Sequence, residues 1–180
     1  STDSAILSSV NSIISGSDDS TIVGSSGSLI DGIKLGTIIG GFKGKIMGPI
    51  VSQSENHSNL ILGGWTNTIS GSAGGSNNKG YLMGNAIIGG STNQIKSATQ
   101  ASNDSFTNLA GNTIIGSYFS KITGSKFSSV IGGAYNNIFS SSYSAIIGGY
   151  VNTIEKKEGV VIIGATGNKG VNNYTTYVEN

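Results

Sequence analysis

The sequence predicts an all-β fold, a parallel β-solenoid built from coils of 16 residues, and three regularities carry that reading. An apolar pair followed by a small residue recurs along the whole chain. A second isoleucine sits eight residues after the first member of each pair. Between the two lies a stretch of glycine, serine and asparagine, and each glycine would cost a helix interior about 1 kcal/mol relative to alanine.

The pair appears first as Ile6-Leu7, then as Ile22-Val23, Ile38-Ile39, Ile61-Leu62, Ile87-Ile88, Ile114-Ile115, Val130-Ile131, Ile146-Ile147 and Ile162-Ile163. The steps between first members are 16, 16, 23, 26, 27, 16, 16 and 16 residues, so there are nine coils, three of them lengthened. The second apolar position is Ile14, Ile30, Ile46, Ile69, Ile95, Ile122, Ile138 and Ile154. Two short strands per coil, separated by tight turns, fit this half-period. The Gly-Gly that follows many pairs suits a backbone bend or an approach too close for a Cβ. Asparagine at the seventh place (Asn67, Asn93, Asn136, Asn152, Asn168) suits either a left-handed turn residue or a ladder of stacked amides between coils. The repeat occupies residues 1–166, and residues 167–180 break it, reading as a C-terminal extension or a linker to a further module.

Composition narrows the function classes. Ten Lys+Arg against nine Asp+Glu give a net charge of +1, which makes no electrostatic case for nucleic acid or an anionic membrane. No apolar run approaches the roughly 20 residues that span a bilayer, so no membrane insertion is expected. With no cysteine there is neither a disulfide framework nor a thiolate metal site, and no cofactor is expected. An opening at Ser1 without methionine or leader reads as a piece of a longer protein.

Neighbouring strand residues point to opposite faces, so each apolar pair sends one side chain into the coil and the other outward. Stacking then builds a continuous apolar stripe along the outside, of a kind that marks an interface. Burying about three aliphatics per coil at roughly 1.5–3 kcal/mol each falls short of ordering 16 backbone positions at about 1–2 kcal/mol each. A symmetric homotrimer with three stripes meeting on one axis supplies the rest. The stripe is expected to be Ile39, Leu62, Ile88, Ile115, Ile131, Ile147 and Ile163, which member of each pair faces the axis being left open by the sequence.

The units Ser-Ala-Ile-Ile-Gly-Gly-Tyr-Val-Asn-Thr-Ile (144–154) and Ser-Ser-Val-Ile-Gly-Gly-Ala-Tyr-Asn-Asn-Ile (128–138) resemble the head repeats of YadA-like trimeric autotransporter adhesins. They are most similar to a longer Ile-Gly-Gly-x-x-Asn variant that also occurs in phage and other viral tail-fibre proteins. The resemblance runs from Ile6 to Gly164. It implies a left-handed parallel β-roll, a homotrimer, and host attachment through a cell-surface glycan or protein receptor. The implied location is the virion surface or, for an adhesin, the bacterial cell surface.

Three insertions, at about 47–58, 70–84 and 96–111, enter at the same phase, after Ile46, Ile69 and Ile95. Stacked coils bring such insertions to one edge, and insertions gathered on one face commonly bind. The candidate ligand-binding residues are therefore His57, Lys79, Tyr81, Asp104 and Phe106, together with Trp65, which is expected to sit beside the insertions. Trp65 shares the fifth position of its coil with Phe42, Tyr118 and Tyr150, so a ring ladder competes with a sugar platform there. Catalytic signals are thin. A glycan-cleaving tailspike needs two carboxyls about 5–10 Å apart, and Glu55 with Asp104 is the pair the insertions offer. An ice-binding solenoid needs a regular threonine array, whereas only Thr21, Thr37 and Thr113 share the phase before the apolar pair, and the three do not run consecutively. The sequence thus leads to the expectation of a structural, adhesive chain without enzymatic activity.

Overall fold

Alternation of one inward isoleucine between outward neighbours makes strands of two to four residues, because glycine and serine then turn the chain. The computed structural model describes residues 3–48, 56–71, 82–96 and 109–178, and among these it contains strands and turns but no helix. All of the strand pairing is parallel.

One sheet has ten strands: β1 (Ala5–Leu7), β3 (Thr21–Val23), β5 (Gly36–Ile39), β8 (Asn59–Leu62), β11 (Ala86–Ile88), β14 (Thr113–Ile115), β16 (Ser129–Ile131), β18 (Ala145–Ile147), β20 (Val161–Ile163) and β22 (Thr176–Val178). The second has nine: β2 (Ile13–Ser15), β4 (Leu29–Asp31), β6 (Lys45–Met47), β9 (Thr68–Ser70), β12 (Gln94–Lys96), β15 (Lys121–Thr123), β17 (Asn137–Phe139), β19 (Thr153–Glu155) and β21 (Lys169–Gly170). The chain alternates between the sheets, so each strand bonds to strands one layer before and after it. The apolar pairs stay in register: Ile22 lies opposite Ile38, Ile38 opposite Ile61, and Ile146 opposite Ile162. This is the stacked, two-sheet arrangement of a β-solenoid.

The core lies between the sheets. The first member of each pair from Ile22 onward and the facing isoleucines from Ile30 to Ile154 are at most 1% exposed. Burying each one contributes roughly 1.5–3 kcal/mol. The sequence left open which member of the pair turns inward; the structure places the first inside and the second outside.

The turns are held by buried polar side chains that act across layers. The Asn93 N–H donates to Asn67 Oδ1 at 3.2 Å, Ser120 N–H to Asn93 Oδ1 at 3.0 Å, and Asn136 N–H to Ser120 Oγ at 3.3 Å. Asn152 N–H then donates to Asn136 Oδ1 at 3.0 Å, and Asn168 N–H to Asn152 Oδ1 at 2.9 Å. None of these asparagines has a positive φ, so of the two roles open to them the structure assigns the ladder. On the opposite edge Asn59, Asn85, Asn112, Ser128 and Ser144 accept in the same way from the layer above. A turn packed this tightly leaves no room for a second side chain. A Cβ on Gly149 would strike the Ala165 carbonyl oxygen, whereas one on Gly148 would meet nothing within 4 Å.

Residues 167–180 were expected to stand outside the repeat. The described part instead adds one strand to each sheet, β21 on β19 and β22 on β20, which extends the solenoid past residue 166. Tyr177 takes the inward place opposite Ile162 and packs on the core, and its phenol oxygen accepts from Val171 N–H at 3.1 Å and Asn172 N–H at 3.3 Å. At the other end, among the described residues, β1 pairs with β3 alone, and Ile6 is 44% exposed in what is elsewhere a core position.

Candidate functional site

Three surfaces of this solenoid carry side chains beyond what packing requires. The first is the outer face of the ten-stranded sheet. Its outward positions pair Thr21 with Val23, Thr37 with Ile39, Leu60 with Leu62, Ala86 with Ile88, and Thr113 with Ile115. Ser129 with Ile131, Ala145 with Ile147, and Val161 with Ile163 continue the series. No charged residue stands among them. Ile39, Leu62, Ile115, Ile131, Ile147 and Ile163 are 36–42% exposed, and Ile88 is half-buried. The corresponding face of the nine-stranded sheet carries Asp31, Lys45, Lys96, Lys121, Glu155 and Lys169. One flank is therefore uncharged and apolar, and the other is charged.

The second surface is the edge where the insertions enter, on the return path from the nine-stranded to the ten-stranded sheet. There β7 (Asn56–His57), β10 (Leu82–Met83) and β13 (Leu109–Ala110) form a small parallel sheet of their own, His57 opposite Met83 and Met83 opposite Ala110. The ends of the three insertions thus lie side by side. His57 is placed there through its backbone; Lys79, Tyr81, Asp104 and Phe106 lie outside the described residues, as do Glu55 and Pro49. Further along this edge Phe127 stacks on Tyr143 with ring centroids 5.5 Å apart. A cavity beside Tyr143 is lined by Lys126, Lys156, Lys157 and Glu158. Glu158 hydrogen-bonds to the Tyr174 phenol and, by that bond first and by its charge second, raises it above the ordinary value of 10.0.

The third surface is the opposite edge, where the chain passes from the ten-stranded to the nine-stranded sheet. Trp65 lies here between β8 and β9, so it does not sit beside the insertions as expected. It is 58% exposed and rests on Phe42, centroids 4.7 Å apart at 36°. The ladder expected at the fifth position runs no further. Its backbone positions are bridged in the order Phe42, Trp65, Ser91, Tyr118, Ala134, Tyr150 and Thr166, so Ser91 and Ala134 interrupt the rings.

A second aromatic cluster forms instead by recruiting the next residue of the turn. Tyr118 meets Phe119 at 4.5 Å and Tyr135 at 5.7 Å, both edge to face; Phe119 and Tyr135 stack at 5.5 Å and 8°; and Tyr150 meets Tyr135 edge to face at 5.6 Å. Phe119 and Tyr135 have φ of 50° and 56°, a left-handed conformation uncommon for bulky residues. Loss of solvent around the Tyr135 phenol, then the neighbouring Tyr118 and Tyr150 hydroxyls, raise it above 10.0. Sequence reasoning found Tyr118 and Tyr150 by phase and missed Phe119 and Tyr135. Their place is a left-handed one, where glycine or asparagine is the usual signal.

No protein-family model matches this chain. No curated protein matches it either. Among solved structures it shows a distant likeness to the polySia-specific acetyltransferase NeuO, at 14% identity over 100% of this chain and 82% of that one, with a TM-score of 0.29. That neighbour is an enzyme, so the expectation of a chain without enzymatic activity is corrected and does not stand. A TM-score of 0.29 carries no argument for assigning the neighbour's reaction to this chain.

Proposed function

We propose that this chain is the structural and attachment domain of a homotrimeric viral tail fibre or spike, a left-handed β-roll with coils of 16 residues, that recognises a cell-surface ligand. The observation that carries this reading is the contrast between the two outer faces. One is charged, as a solvated face is; the other holds an unbroken file of half-exposed aliphatics without a single charge. Covering a side chain that is about 40% exposed recovers roughly 1 kcal/mol, so six such residues per chain supply several kcal/mol toward association. The Ile-Gly-Gly-x-x-Asn units supply the second support, since they resemble repeats that trimerise in fibres.

The test is the native mass in solution by size exclusion with light scattering at low micromolar concentration. The expected mass is three times that of the 18.2 kDa chain. A mass of one chain would overturn the fibre reading, because the apolar face would then have no partner.

A further inference from the structure

We infer that the cluster of Tyr118, Phe119, Tyr135 and Tyr150 is a carbohydrate-binding platform for a neutral glycan chain lying along that edge of the solenoid. The inference deepens the attachment reading and rests on it for the presence of a ligand. It moves the ligand from the insertion edge to the opposite one.

The fold itself has no need of these rings. The turn position held by Tyr118 and Tyr150 is taken by Ser91, Ala134 and Thr166 in other layers, with the same backbone bridges. The left-handed position held by Phe119 and Tyr135 is taken by Gly27, Lys43, Thr66, Thr92, Val151 and Gly167, all at positive φ. Two rings have thus been placed where residues without rings serve in other layers. The four rings are 36–52% exposed and touch one another, making one apolar patch in solvent, which marks an interaction site.

The chemistry of the patch selects the ligand. Three of its four rings are tyrosines, so it offers apolar faces with hydroxyl edges, matching a sugar ring whose C–H face is apolar and whose rim is hydroxylated. The turns that carry it, 117–120, 133–136 and 149–152, contain serine, glycine, alanine, valine and asparagine but no charged residue. An acidic sugar would find no counter-charge there. Layers stack about 4.8 Å apart, so the rings repeat along the solenoid axis and present a track to a linear oligosaccharide.

The test titrates the whole chain with three neutral hexasaccharides: maltohexaose, cellohexaose and the hexamer of N-acetylglucosamine. Binding is read by saturation-transfer NMR and calorimetry. The double variant Tyr118→Ser/Tyr150→Thr installs residues that the same turn position already accepts in other layers, so its fold should persist, as circular dichroism would verify. The control Phe127→Ala/Tyr143→Ala removes the ring pair on the insertion edge. At least one hexasaccharide should bind the wild type and the control, and the double variant should bind it about tenfold more weakly, as expected for two lost ring contacts. Absence of binding to all three sugars overturns the inference, as does equal binding by the double variant or equal loss in the control. A changed native mass in the double variant also overturns it, because the patch would then be a contact between copies. Native mass on the same samples separates the two readings: a trimer that binds no sugar sinks this inference alone, and a monomer that binds one sinks the fibre alone.

Discussion

Replacing Asn93 by alanine tests whether the buried ladder holds the layers together. The Asn93 Oδ1 accepts from the Ser120 N–H at 3.0 Å and from the Ser117 hydroxyl at 3.0 Å, and its Nδ2 donates to the Ser117 carbonyl at 2.7 Å. Asn93, Ser117 and Ser120 are all at most 1% exposed, so water cannot take over. Truncation leaves the Ser120 N–H without an acceptor, at a cost of about 1–3 kcal/mol. The Ser117 hydroxyl can turn to the carbonyl two residues earlier, as Ser17, Ser125 and Ser141 do, so its loss and that of the amide bond come to about 1 kcal/mol each. The expected destabilisation is about 3–5 kcal/mol, a large share of the roughly 5–15 kcal/mol of an ordinary domain. Asn93→Ser should recover about half of it, because a serine at this position accepts across layers, as Ser120 does from Asn136. Urea unfolding followed by circular dichroism at fixed chain concentration measures both variants. An alanine variant within about 0.5 kcal/mol of wild type, or a serine variant no better than alanine, would refute the ladder as a load carrier.

Other perturbations separate the surfaces and turns. Ile131→Asp or Ile147→Asp places a charge on the uncharged flank, where both side chains point outward; light scattering should show a single-chain mass with the strand content retained, and intact trimers from both would remove that flank from the interface. Gly149→Ala should cost several times more than Gly148→Ala, since both glycines have positive φ but only the former would drive a Cβ into the Ala165 carbonyl; equal melting temperatures would contradict the turn geometry. The raised Tyr135 phenol favours its protonated form in the folded chain, so its contribution is present below the ordinary tyrosine value and lost as pH rises past it. Tyr135→Phe should therefore remove one of the late steps of an alkaline phenolate titration and flatten the alkaline loss of stability.

Much of this architecture was legible in the chain because a period of apolar residues is a statement about geometry. The pairs such as Ile146-Ile147 and the isoleucines eight residues later imply two short strands per coil and their half-period. What stayed illegible depended on contacts between layers. Asn136 looks the same whether it bends the backbone or bridges two coils, and only the register of Asn152 above it decides. Phe119, Tyr135, Tyr143 and Val151 occupy left-handed positions with φ of 50°, 56°, 54° and 58°, and none of these residue types announces such a turn. The tail broke the apolar pattern because Thr176 and Tyr177 replaced the aliphatics, yet Tyr177 fills the inward place and satisfies its phenol locally. Trp65 was drawn toward the insertions by proximity in sequence, whereas alternation between sheets puts neighbouring turns on opposite edges.

Because every strand bonds only to its counterparts in adjacent layers, the molecule has a mechanical grain. Tension applied at the two termini pulls along the inter-layer hydrogen bonds and peels the end layer first, leaving the rest intact. Releasing the stretch between paired residues such as Ile146 and Ile162, 16 positions apart, lengthens the chain by about 50 Å. The separations between paired core residues of the ten-stranded sheet run 16 from Ile22 to Ile38, then 23, 26 and 27 to Ile114, and 16 again to Val130. In a force–extension trace those longer steps would appear as a block of wide spacings, nearer the amino-terminal end, and their position in the trace reports from which end the solenoid unravels.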